Sequence, residues 1–364
     1  MPKIKILYIV STLERKGPTN QLFYLIKYLD TSQYEVMVLT LSKEPGNSMI
    51  RQFTSNGIAV LSLNFGRVKG IFYNRRAIDK VVKNYNPDII QAMGLRSDGY
   101  LTEYTDKAKC ITTSRNFPVI DYPKKYGKIK GTLMARQHLE YFRKLSVVSC
   151  SRAISNQLIS VGVESHVIQN GIDLDLFKPA SNKAQKRAKM SLPSSSRIFV
   201  VVGSLIERKN VKLIIDAFSV VDKEDILLIV IGDGPEIGNL KNAAGNKNIR
   251  FVGDIPNVID YLQSSDVMIS ASLAEGLPNA VLEGLACGLS VILSAIEPHK
   301  EIIEGSAFEQ GLFHTQEQLS NMINQYASLD FQLIDPTEGP LLIREKFSAE
   351  KMSKNYQEFY IQNL

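Results

Sequence analysis

The stretch RIFVVVGSLIERKN, residues 197–210, contains the pattern on which both halves of the chain are built. An unbroken apolar run ends at Gly203, and a basic turn then leads into a helical pattern at 211–220. A short apolar run bounded by glycine is typical of a strand that is buried on both faces. The stretch therefore predicts a strand, a glycine turn and a helix in succession.

The same succession recurs along the 364 residues. Predicted strands lie at 4–10, 35–41, 58–63 and 88–92 in the first half, and at 226–231, 249–253, 266–272 and 290–295 in the second. Helical patterns separate them. Alternating strands and helices favour parallel sheets with helices on both faces, so we predict an α/β protein of two Rossmann-like, doubly wound domains facing a central cleft.

The composition of the chain suggests where these domains end. We predict a first domain at 1–178, a polar, basic, Pro/Ser-rich linker at 179–196 and a second domain at 197–346. An apolar stripe formed by Met352, Tyr356, Phe359 and Tyr360 predicts a last helix within 347–364. We expect this helix to pack back on the first domain.

Charge and cysteine usage restrict the class of protein. Three scattered cysteines, Cys110, Cys150 and Cys287, show no metal spacing and favour a reducing cytoplasm. The apolar start resembles a buried strand more than a signal peptide, and no apolar run approaches the roughly 20 residues of a membrane span. The net charge of +6 suits a phosphorylated ligand, an anionic membrane or nucleic acid. No nucleic-acid motif is present, so we expect no nucleic-acid partner.

The segment EGLPNAVLE, Glu275–Glu283, follows a predicted strand. Pro278 suits the first turn of a helix that ends near Cys287, and Gly276 permits close approach to the backbone. Free N–H groups at residues 276–280 would form an anion site. Glu275 then belongs to the loop and Glu283 to the helix, so the two acids do not form an opposed pair. The alternative is a capped surface helix with incidental glutamates.

Three other turns after strands have similar features. Arg208 and Lys209 precede a helix and could donate to a phosphate, although a solvated basic turn is an alternative. The turns ERKGPTNQ, which contains Gly17, and IGDGPE, residues 231–236, also place glycine between a strand and a helix. Each turn alone is a weak signal.

Together these segments resemble the retaining glycosyltransferases of family four, which have the GT-B fold. The matching segments occur in the family's order over nearly the whole chain: GPTNQL, VIQNGIDLDLFKP, VGSLIERKN, IGDGPE, EGLPNAVLE and SAIEPHKEII. The family's signature of two glutamates separated by seven residues is the most specific of them. The resemblance implies transfer of a hexosyl or N-acetylhexosaminyl group from a nucleotide-sugar, expected to be a UDP-sugar, to a lipid-linked or polymeric surface-glycan acceptor.

The resemblance also implies roles for individual residues. Arg208 and Lys209 would hold the diphosphate, and Glu283 would bind the ribose. Glu275 and the backbone of Gly276, Leu277, Pro278 and Asn279 would meet the donor sugar and its phosphates. Gly253 and Val258 would flank the nucleobase, while Gly17 and Gly203 would let the backbone approach the donor. Neither a cofactor nor a metal is implied, and the Asp173-Leu-Asp175 string is interpreted as structural.

The chain departs from the family pattern at several positions. Arg115 and Asn116 stand where many members have a histidine near the sugar, so Arg115 is a candidate catalytic residue or a ligand for an acidic acceptor or a phosphate. Ser204 replaces an arginine of the phosphate turn, and His299 is the histidine nearest the expected cleft. Three alternatives stay open: a nucleotide-sugar epimerase, a phosphorylase and a non-catalytic nucleotide-sugar-binding protein.

Two basic, aromatic segments of the first domain suggest a membrane partner. One contains Arg67, Lys69, Phe72, Tyr73, Arg75 and Arg76, and the other Tyr122, Lys124, Lys125, Tyr126, Lys128, Lys130 and Arg136. Basic clusters of this kind bind anionic lipid surfaces. We predict a cytoplasmic protein attached peripherally to the inner face of the membrane; a solvated basic face is the alternative.

Overall fold

The computed structural model describes residues 2–221, 223–245 and 248–364, without the side chains of Arg67, Val68, Lys69, Ile71 and Phe72. The chain forms two compact units. Unit 1 consists of Met1–Gly171 and Ala349–Leu364, and unit 2 of Ile172–Ser348. None of the described helices is long and apolar enough to cross a membrane.

Unit 1 contains a parallel sheet of seven strands in the order β3-β2-β1-β4-β5-β6-β7. Its strands are β1 Ile4–Val10, β2 Tyr34–Ser42, β3 Ala59–Phe65, β4 Ile89–Ala92, β5 Lys109–Ser114, β6 Ser146–Ser149 and β7 His166–Val167. Its first seven helices are α1 Gly17–Lys27, α2 Ile50–Ser55, α3 Arg67–Tyr85, α4 Leu95–Leu101, α5 Pro118–Tyr126, α6 Lys128–Phe142 and α7 Arg152–Ile159. The last five residues of β1 are buried, as expected for a central strand covered on both faces.

Unit 2 contains a parallel sheet of six strands in the order β10-β9-β8-β11-β12-β13. The strands are β8 Arg197–Val202, β9 Ile226–Ile231, β10 Ile249–Gly253, β11 Val267–Ser270, β12 Ser290–Ser294 and β13 Leu312–Phe313. The helices are α8 Lys183–Lys189, α9 Val211–Ser219, α10 Ile237–Ala244, α11 Ile259–Ser264, α12 Asn279–Ala286, α13 Glu297–Ile303, α14 Gln316–Ala327 and α15 Glu338–Lys346. The strand order reverses between β8 and β11, which creates a crevice at their carboxyl ends. The predicted fold class, an α/β protein of two Rossmann-like domains with parallel sheets, is confirmed.

The two units of the structure have other bounds than the predicted first domain, which ends at 178, and the predicted linker at 179–196. The chain leaves unit 1 at Gly171, and the predicted linker contains helix α8. Arg187 on this helix is buried and donates to Asp266 Oδ2 at 2.6 Å and to the Ser264 carbonyl at 2.8 Å. Lys183 also donates to Asp266, at 3.1 Å. The basic residues that resembled a solvated linker therefore attach α8 to the rest of unit 2.

The C-terminal helix α16, Ala349–Asn363, belongs to unit 1. Its apolar stripe is buried, and Ser353 Oγ donates to the Leu25 carbonyl of α1 at 2.9 Å. Tyr360 shares a buried hydrogen bond of 2.9 Å with Tyr8 on β1. This helix thus closes the face of the sheet that α1 also covers.

Candidate functional site

A small recess lies at the switch point of unit 2, between the carboxyl ends of β8 and β11. Gly203, Ser204 and Lys209 line it from the β8 side, and Ser270 and Ser272 line it from the β11 side. Ligands of doubly wound sheets bind at such points, because the loops from neighbouring strands diverge there and leave room. The recess is therefore the first place to look for a binding site in this unit.

Glycines shape the turns around the recess. Gly203 has φ +150° and Gly232 has φ +134°, and a Cβ on Gly232 would lie 1.9 Å from the Gly203 carbonyl oxygen. A Cβ on Gly234 would lie 2.3 Å from the Leu205 carbonyl oxygen. Since Leu205 N donates to the Asp233 carbonyl at 2.9 Å, the turns after β8 and β9 are in direct backbone contact. The predicted glycine turns are thus required by close packing.

Arg208 and Lys209 converge on Glu275. They lie on a single 3-10 turn, Glu207–Lys209, after β8. Arg208 Nη1 lies 2.8 Å from Glu275 Oε2, and Lys209 Nζ lies 2.6 Å from Oε1. Arg208 also donates to the Ala274 carbonyl, and its own carbonyl accepts from Leu273 N at 2.9 Å. The basic turn after β8 and the loop after β11 are therefore joined into one cluster.

The Glu275 carboxylate is ionised within this cluster. Burial alone would raise its pKa, but the charges of Lys209 and Arg208 and a 2.7 Å hydrogen bond from Ser272 Oγ lower the pKa to about 2. Its side chain is 7% exposed, whereas those of Arg208 and Lys209 are 26% and 20% exposed. The two cations retain an outward-facing surface that a further anion can contact.

Helix α12 begins just beyond Glu275. Pro278 occupies its N-cap position, one residue earlier than predicted, and the described cap has no side-chain hydrogen bond. The N–H groups of the first turn and the positive end of the helix dipole favour an anion here. A Cβ on Gly284 would lie 2.8 Å from Met268 Sδ, so this glycine lets α12 pack closely on β11.

Glu283 lies on α12 and is 8% exposed. Burial raises its pKa to about 7, and no charged group of the described residues offsets this effect. Glu275 and Glu283 are therefore in different electrostatic environments, one ionised between two cations and the other near its titration midpoint at neutral pH. As the sequence predicted, Glu275 lies in the loop before α12 and Glu283 lies within that helix.

His299 on α13 is fully buried behind the recess. Its Nδ1 lies 2.7 Å from the Ser294 carbonyl, which can only accept, so Nδ1 carries the proton and Nε2 accepts from Ser270 Oγ at 3.2 Å. Burial lowers its pKa to about 4, so the ring is neutral. The sequence indicated His299 but not Ser270, Ser272 or Ser294, because isolated serines at strand ends have no distinguishing spacing.

The remaining predicted residues lie elsewhere. Gly253 ends β10 and Val258 caps α11, and β10 is separated from β11 by β9 and β8. At about 4.8 Å per strand, the ends of β10 and β11 lie about 14 Å apart. Gly17 begins α1 and Arg115 follows β5, so both are parts of unit 1.

Arg115 makes contacts only with uncharged groups among the described residues. Its Nη1 donates to Asn170 Oδ1 at 2.5 Å, and its Nε lies 3.4 Å from Met93 Sδ. No carboxylate of the described chain forms an ion pair with it. The segment around Asn170 matches the family pattern, but the sequence analysis predicted no role for this residue. No spacing signal pairs Arg115 with Asn170, because the two residues lie far apart in the chain.

The cluster in unit 2 is suited to a phosphorylated ligand. Two cations, one anion and a helix N-terminus give a net positive site, and charge-assisted hydrogen bonds to phosphate are strong. Among the described residues, no group of three or more His, Cys, Asp or Glu side chains is arranged to hold a metal ion.

Two family models match the chain. The model described as Glycosyltransferase Family 4 matches residues 15–176, and the one described as Glycosyl transferases group 1 matches residues 182–329. The first match falls almost entirely on unit 1 and the second on unit 2. The cluster of Arg208, Lys209 and Glu275 lies within the second match, and so does Glu283.

Several curated proteins are similar in sequence. The O-antigen biosynthesis glycosyltransferase WclY of Escherichia coli is 24% identical over 370 residues, covering 98% of each chain. The alpha-monoglucosyldiacylglycerol synthase of Streptococcus pneumoniae is 28% identical over 311 residues, 78% of this chain and 68% of that protein. The UDP-Gal:alpha-D-GlcNAc-diphosphoundecaprenol alpha-1,3-galactosyltransferase of Escherichia coli is 32% identical over 151 residues, 38% of each chain.

Solved structures share the fold. Anabaena Alr3699/HepE, solved in complex with UDP and glucose, has a TM-score of 0.82 at 16% identity and covers 99% of this chain and 100% of its own. Sucrose-phosphate synthase from Thermosynechococcus elongatus has a TM-score of 0.80 at 17% identity, with 99% of both chains covered. At these identities the likeness shows the architecture alone.

Proposed function

We propose that this chain, which belongs to glycosyltransferase family four and has the GT-B fold, is a retaining enzyme that uses a UDP-sugar. It would transfer a hexosyl or N-acetylhexosaminyl group to a lipid-linked or polymeric surface-glycan acceptor. The observation that carries the proposal is the convergence of Arg208 and Lys209 on Glu275 beside the start of α12.

The roles of the donor-site residues follow from this cluster. Arg208 and Lys209 bind the diphosphate through their outward-facing atoms, and they stabilise the negative charge that develops on it as the glycosidic bond breaks. Glu275 holds both cations in place and faces the donor sugar together with the backbone of residues 276–279. Glu283, when ionised, accepts hydrogen bonds from the ribose hydroxyls.

The length of a nucleotide-sugar suits the positions of the outlying residues of unit 2. The turn from Gly253 to Val258, about 14 Å from the end of β11, would flank the base. For unit 1 we propose the roles that the family resemblance implies, Gly17 as a donor-binding residue and Arg115 as a residue for the transferred sugar or the acceptor. Because the guanidinium of Arg115 contacts only uncharged partners, it is suited to an anionic group.

Named relatives support the choice of substrates. One Escherichia coli relative is named for a UDP-galactose donor and a diphosphoundecaprenol-linked acceptor, and the Streptococcus pneumoniae relative for a glucosyldiacylglycerol product. HepE was solved with UDP-glucose. A UDP-sugar and a membrane-anchored acceptor are therefore the first substrates to test. We propose that the enzyme acts in the cytoplasm at the inner face of the membrane.

Donor recognition is tested by calorimetric titration with UDP, GDP and ADP. UDP should bind with micromolar affinity, and Lys209→Ala should weaken this binding by about tenfold, because one charge-assisted contact is lost. Lys212→Ala is the matched control, since Lys212 follows in the same segment but is exposed and pairs with Asp216. Preference for GDP or ADP would change the assigned nucleotide, and no nucleotide binding would refute the donor site.

The reaction itself is tested by NMR with UDP-glucose and UDP-galactose, with and without a lipid-diphosphate-linked sugar acceptor. Retention predicts a product with the anomeric configuration of the donor. A changed donor sugar without acceptor would identify an epimerase. Binding without any conversion over a range of donors and acceptors would favour a non-catalytic binding protein.

A further inference from the structure

Helices α5 and α6 form a helical hairpin at residues 118–142 of unit 1 that exposes apolar side chains. On α6, Ile129 is 81% exposed and Leu133 is 60% exposed. Their spacing of four residues puts them on one face of the helix. Val119, Ile120 and Tyr126 of α5 are exposed as well. An exposed apolar cluster of this kind marks an interaction surface.

The same hairpin is strongly basic. It carries Lys124, Lys125, Lys128, Lys130 and Arg136, against the acids Asp121 and Glu140. Within the described part of the chain, Lys124, Lys128 and Lys130 form no ion pair, and all three are exposed. Lys125 Nζ lies 5.3 Å from the centre of the Tyr126 ring. Cationic and apolar groups therefore alternate at the tip of the hairpin.

Buried contacts join the two helices of the hairpin to each other and to α4. A Cβ on Gly131 would lie 2.3 Å from the Tyr122 carbonyl oxygen, which shows how closely α5 and α6 approach. The Tyr122 hydroxyl lies 2.7 Å from His138 Nδ1, and His138 Nε2 lies 2.7 Å from Asp98 Oδ2 on α4. All three of these side chains are buried.

We propose that this hairpin inserts Ile129 and Leu133 into the hydrocarbon boundary of an anionic bilayer while its lysines contact the lipid phosphates. Exposed aliphatic residues gain from leaving water, and neighbouring cations are attracted to anionic headgroups. A second copy of the chain is a poorer partner, because its lysines would be brought against those of the first. Nucleic acid would match the charge but leave the two aliphatic side chains in water.

This inference deepens the proposed function, on which it rests for the presence of a membrane-anchored acceptor. It assigns the membrane contact to the α5–α6 hairpin rather than to the basic charge of the whole chain. Of the other basic segment, Arg75 pairs with Glu103 at 2.7 Å, and the side chains of Arg67, Lys69 and Phe72 lie outside the described residues.

The proposal is tested by co-sedimentation of the full chain with vesicles of phosphatidylcholine alone or mixed with phosphatidylglycerol. The protein should bind the mixed vesicles, and the double variant Ile129→Ser/Leu133→Ser should bind about tenfold more weakly at both low and high salt. The quadruple variant Lys124→Gln/Lys125→Gln/Lys128→Gln/Lys130→Gln should lose the preference for phosphatidylglycerol and the salt dependence.

Matched controls separate the hairpin from general surface properties. Ile159→Ser removes an exposed aliphatic side chain of α7, and Lys80→Gln/Lys83→Gln removes two exposed charges of α3; neither should change vesicle binding. Circular dichroism and UDP affinity show that each variant is folded. Absent vesicle binding, equal binding by the Ile129→Ser/Leu133→Ser variant, or a dimer that this variant dissociates in sedimentation velocity would overturn the proposal.

The two proposals can fail separately. UDP titration and transfer to a water-soluble acceptor are measured without vesicles, so intact transfer with no vesicle binding refutes the hairpin proposal alone. Hairpin-dependent vesicle binding without nucleotide binding or transfer refutes the proposed function alone.

Discussion

At the scale of single residues, the contacts of Glu275 with Lys209, Arg208 and Ser272 keep its carboxylate ionised. Its pKa of about 2 means that its charge does not change at any pH at which the protein would be assayed. A proton carrier needs a pKa near the working pH, so Glu275 is suited to positioning and electrostatics rather than to acid–base catalysis.

Replacement of Glu275 should affect UDP binding and the rate of sugar transfer differently. Glu275→Gln keeps the shape but leaves Arg208 and Lys209 without their counter-charge, so UDP should bind as well or several-fold more tightly. Turnover should fall about 100-fold, or about 2.7 kcal/mol, because the cations lose their orientation toward the reacting bond. Steady-state kinetics and UDP titration measure the two effects. Glu317→Gln, an exposed acid on α14, is the control, and unchanged turnover in Glu275→Gln would refute the assigned role.

Glu283 is the titratable acid of the site near neutral pH. Its folded pKa of about 7 is higher than that of an unfolded glutamate, so the folded state retains a proton that the unfolded state has lost. The contribution of Glu283 to stability is therefore greatest below about pH 4.5, falls as pH rises from about 4.5 to about 7, and is level above that. The loss is on the order of 3 kcal/mol at most.

Glu283→Gln should remove this pH dependence. The variant should match the wild type at pH about 5 and be more stable at pH about 8, as measured by urea unfolding. UDP affinity should rise with pH in the wild type, because ionised Glu283 accepts from the ribose, and should be weaker and flat in the variant. An equal pH response in both proteins would show that Glu283 is not the titrating group.

At the scale of elements, strands were predictable where apolar side chains fill both faces. All nine predicted strands are present, because strands packed into a parallel sheet are marked by continuous apolar runs. Strand β5 was not predicted: its Thr112, Thr113 and Ser114 are buried, yet polar. Gln91 Nε2 donates to Thr113 Oγ1 at 2.9 Å, a partner that only the folded sheet supplies. Strands β6, β7 and β13 were too short to give a pattern.

The basic and polar composition of α8 is typical of a linker, and the sequence therefore did not indicate this helix. The partner that makes Arg187 a buried residue, Asp266, stands at the start of β11 and is distant in sequence. Arg187→Met should lower the free energy of unfolding by about 3 kcal/mol, because Asp266 Oδ2 loses its ion pair with the guanidinium and three carbonyls lose a donor. Denaturant unfolding monitored by circular dichroism measures the change.

Lys189 provides the comparison for this variant. It lies on the same helix and is exposed, so Lys189→Met should change the free energy of unfolding by less than about 0.5 kcal/mol. Similar losses in the two variants would mean that Arg187 contributes no more than a surface residue.

At the scale of the whole molecule, unit 1 is assembled from two separate parts of the chain. Ser353 and Tyr360 of α16 bond to Leu25 and Tyr8, which lie more than three hundred positions earlier in the printed sequence. The Tyr356 hydroxyl lies 3.2 Å from Thr113 Oγ1 on β5. Removal of residues 349–364 should therefore unfold part of unit 1 while unit 2 keeps its structure.

Hydrogen exchange on the full-length and shortened chains tests this expectation. Amides of β1 and α1 should lose protection by several orders of magnitude, and those of β8 and β11 should not change. Ile361→Ser, at an exposed position of the same helix, should leave all protection intact. Uniform loss in both units, or none in unit 1, would contradict the division of the chain into these units.

The sequence by itself determined the architecture and most of the candidate donor site. Apolar runs of strand length and glycine turns are local signals, and the segments around Arg208 and Glu275 are each short enough to be recognised without a structure. The order of these segments also identified the family.

Only the tertiary structure decided which groups meet and what charge they carry. The ion pairs of Glu275, the Arg115–Asn170 contact and the Arg187–Asp266 ion pair each join residues far apart in the chain. Burial in the folded unit makes the ring of His299 neutral. The physical reason is that burial and the position of a counter-charge set both the pKa and the energetic value of a polar side chain, and neither quantity exists until the sheets have formed.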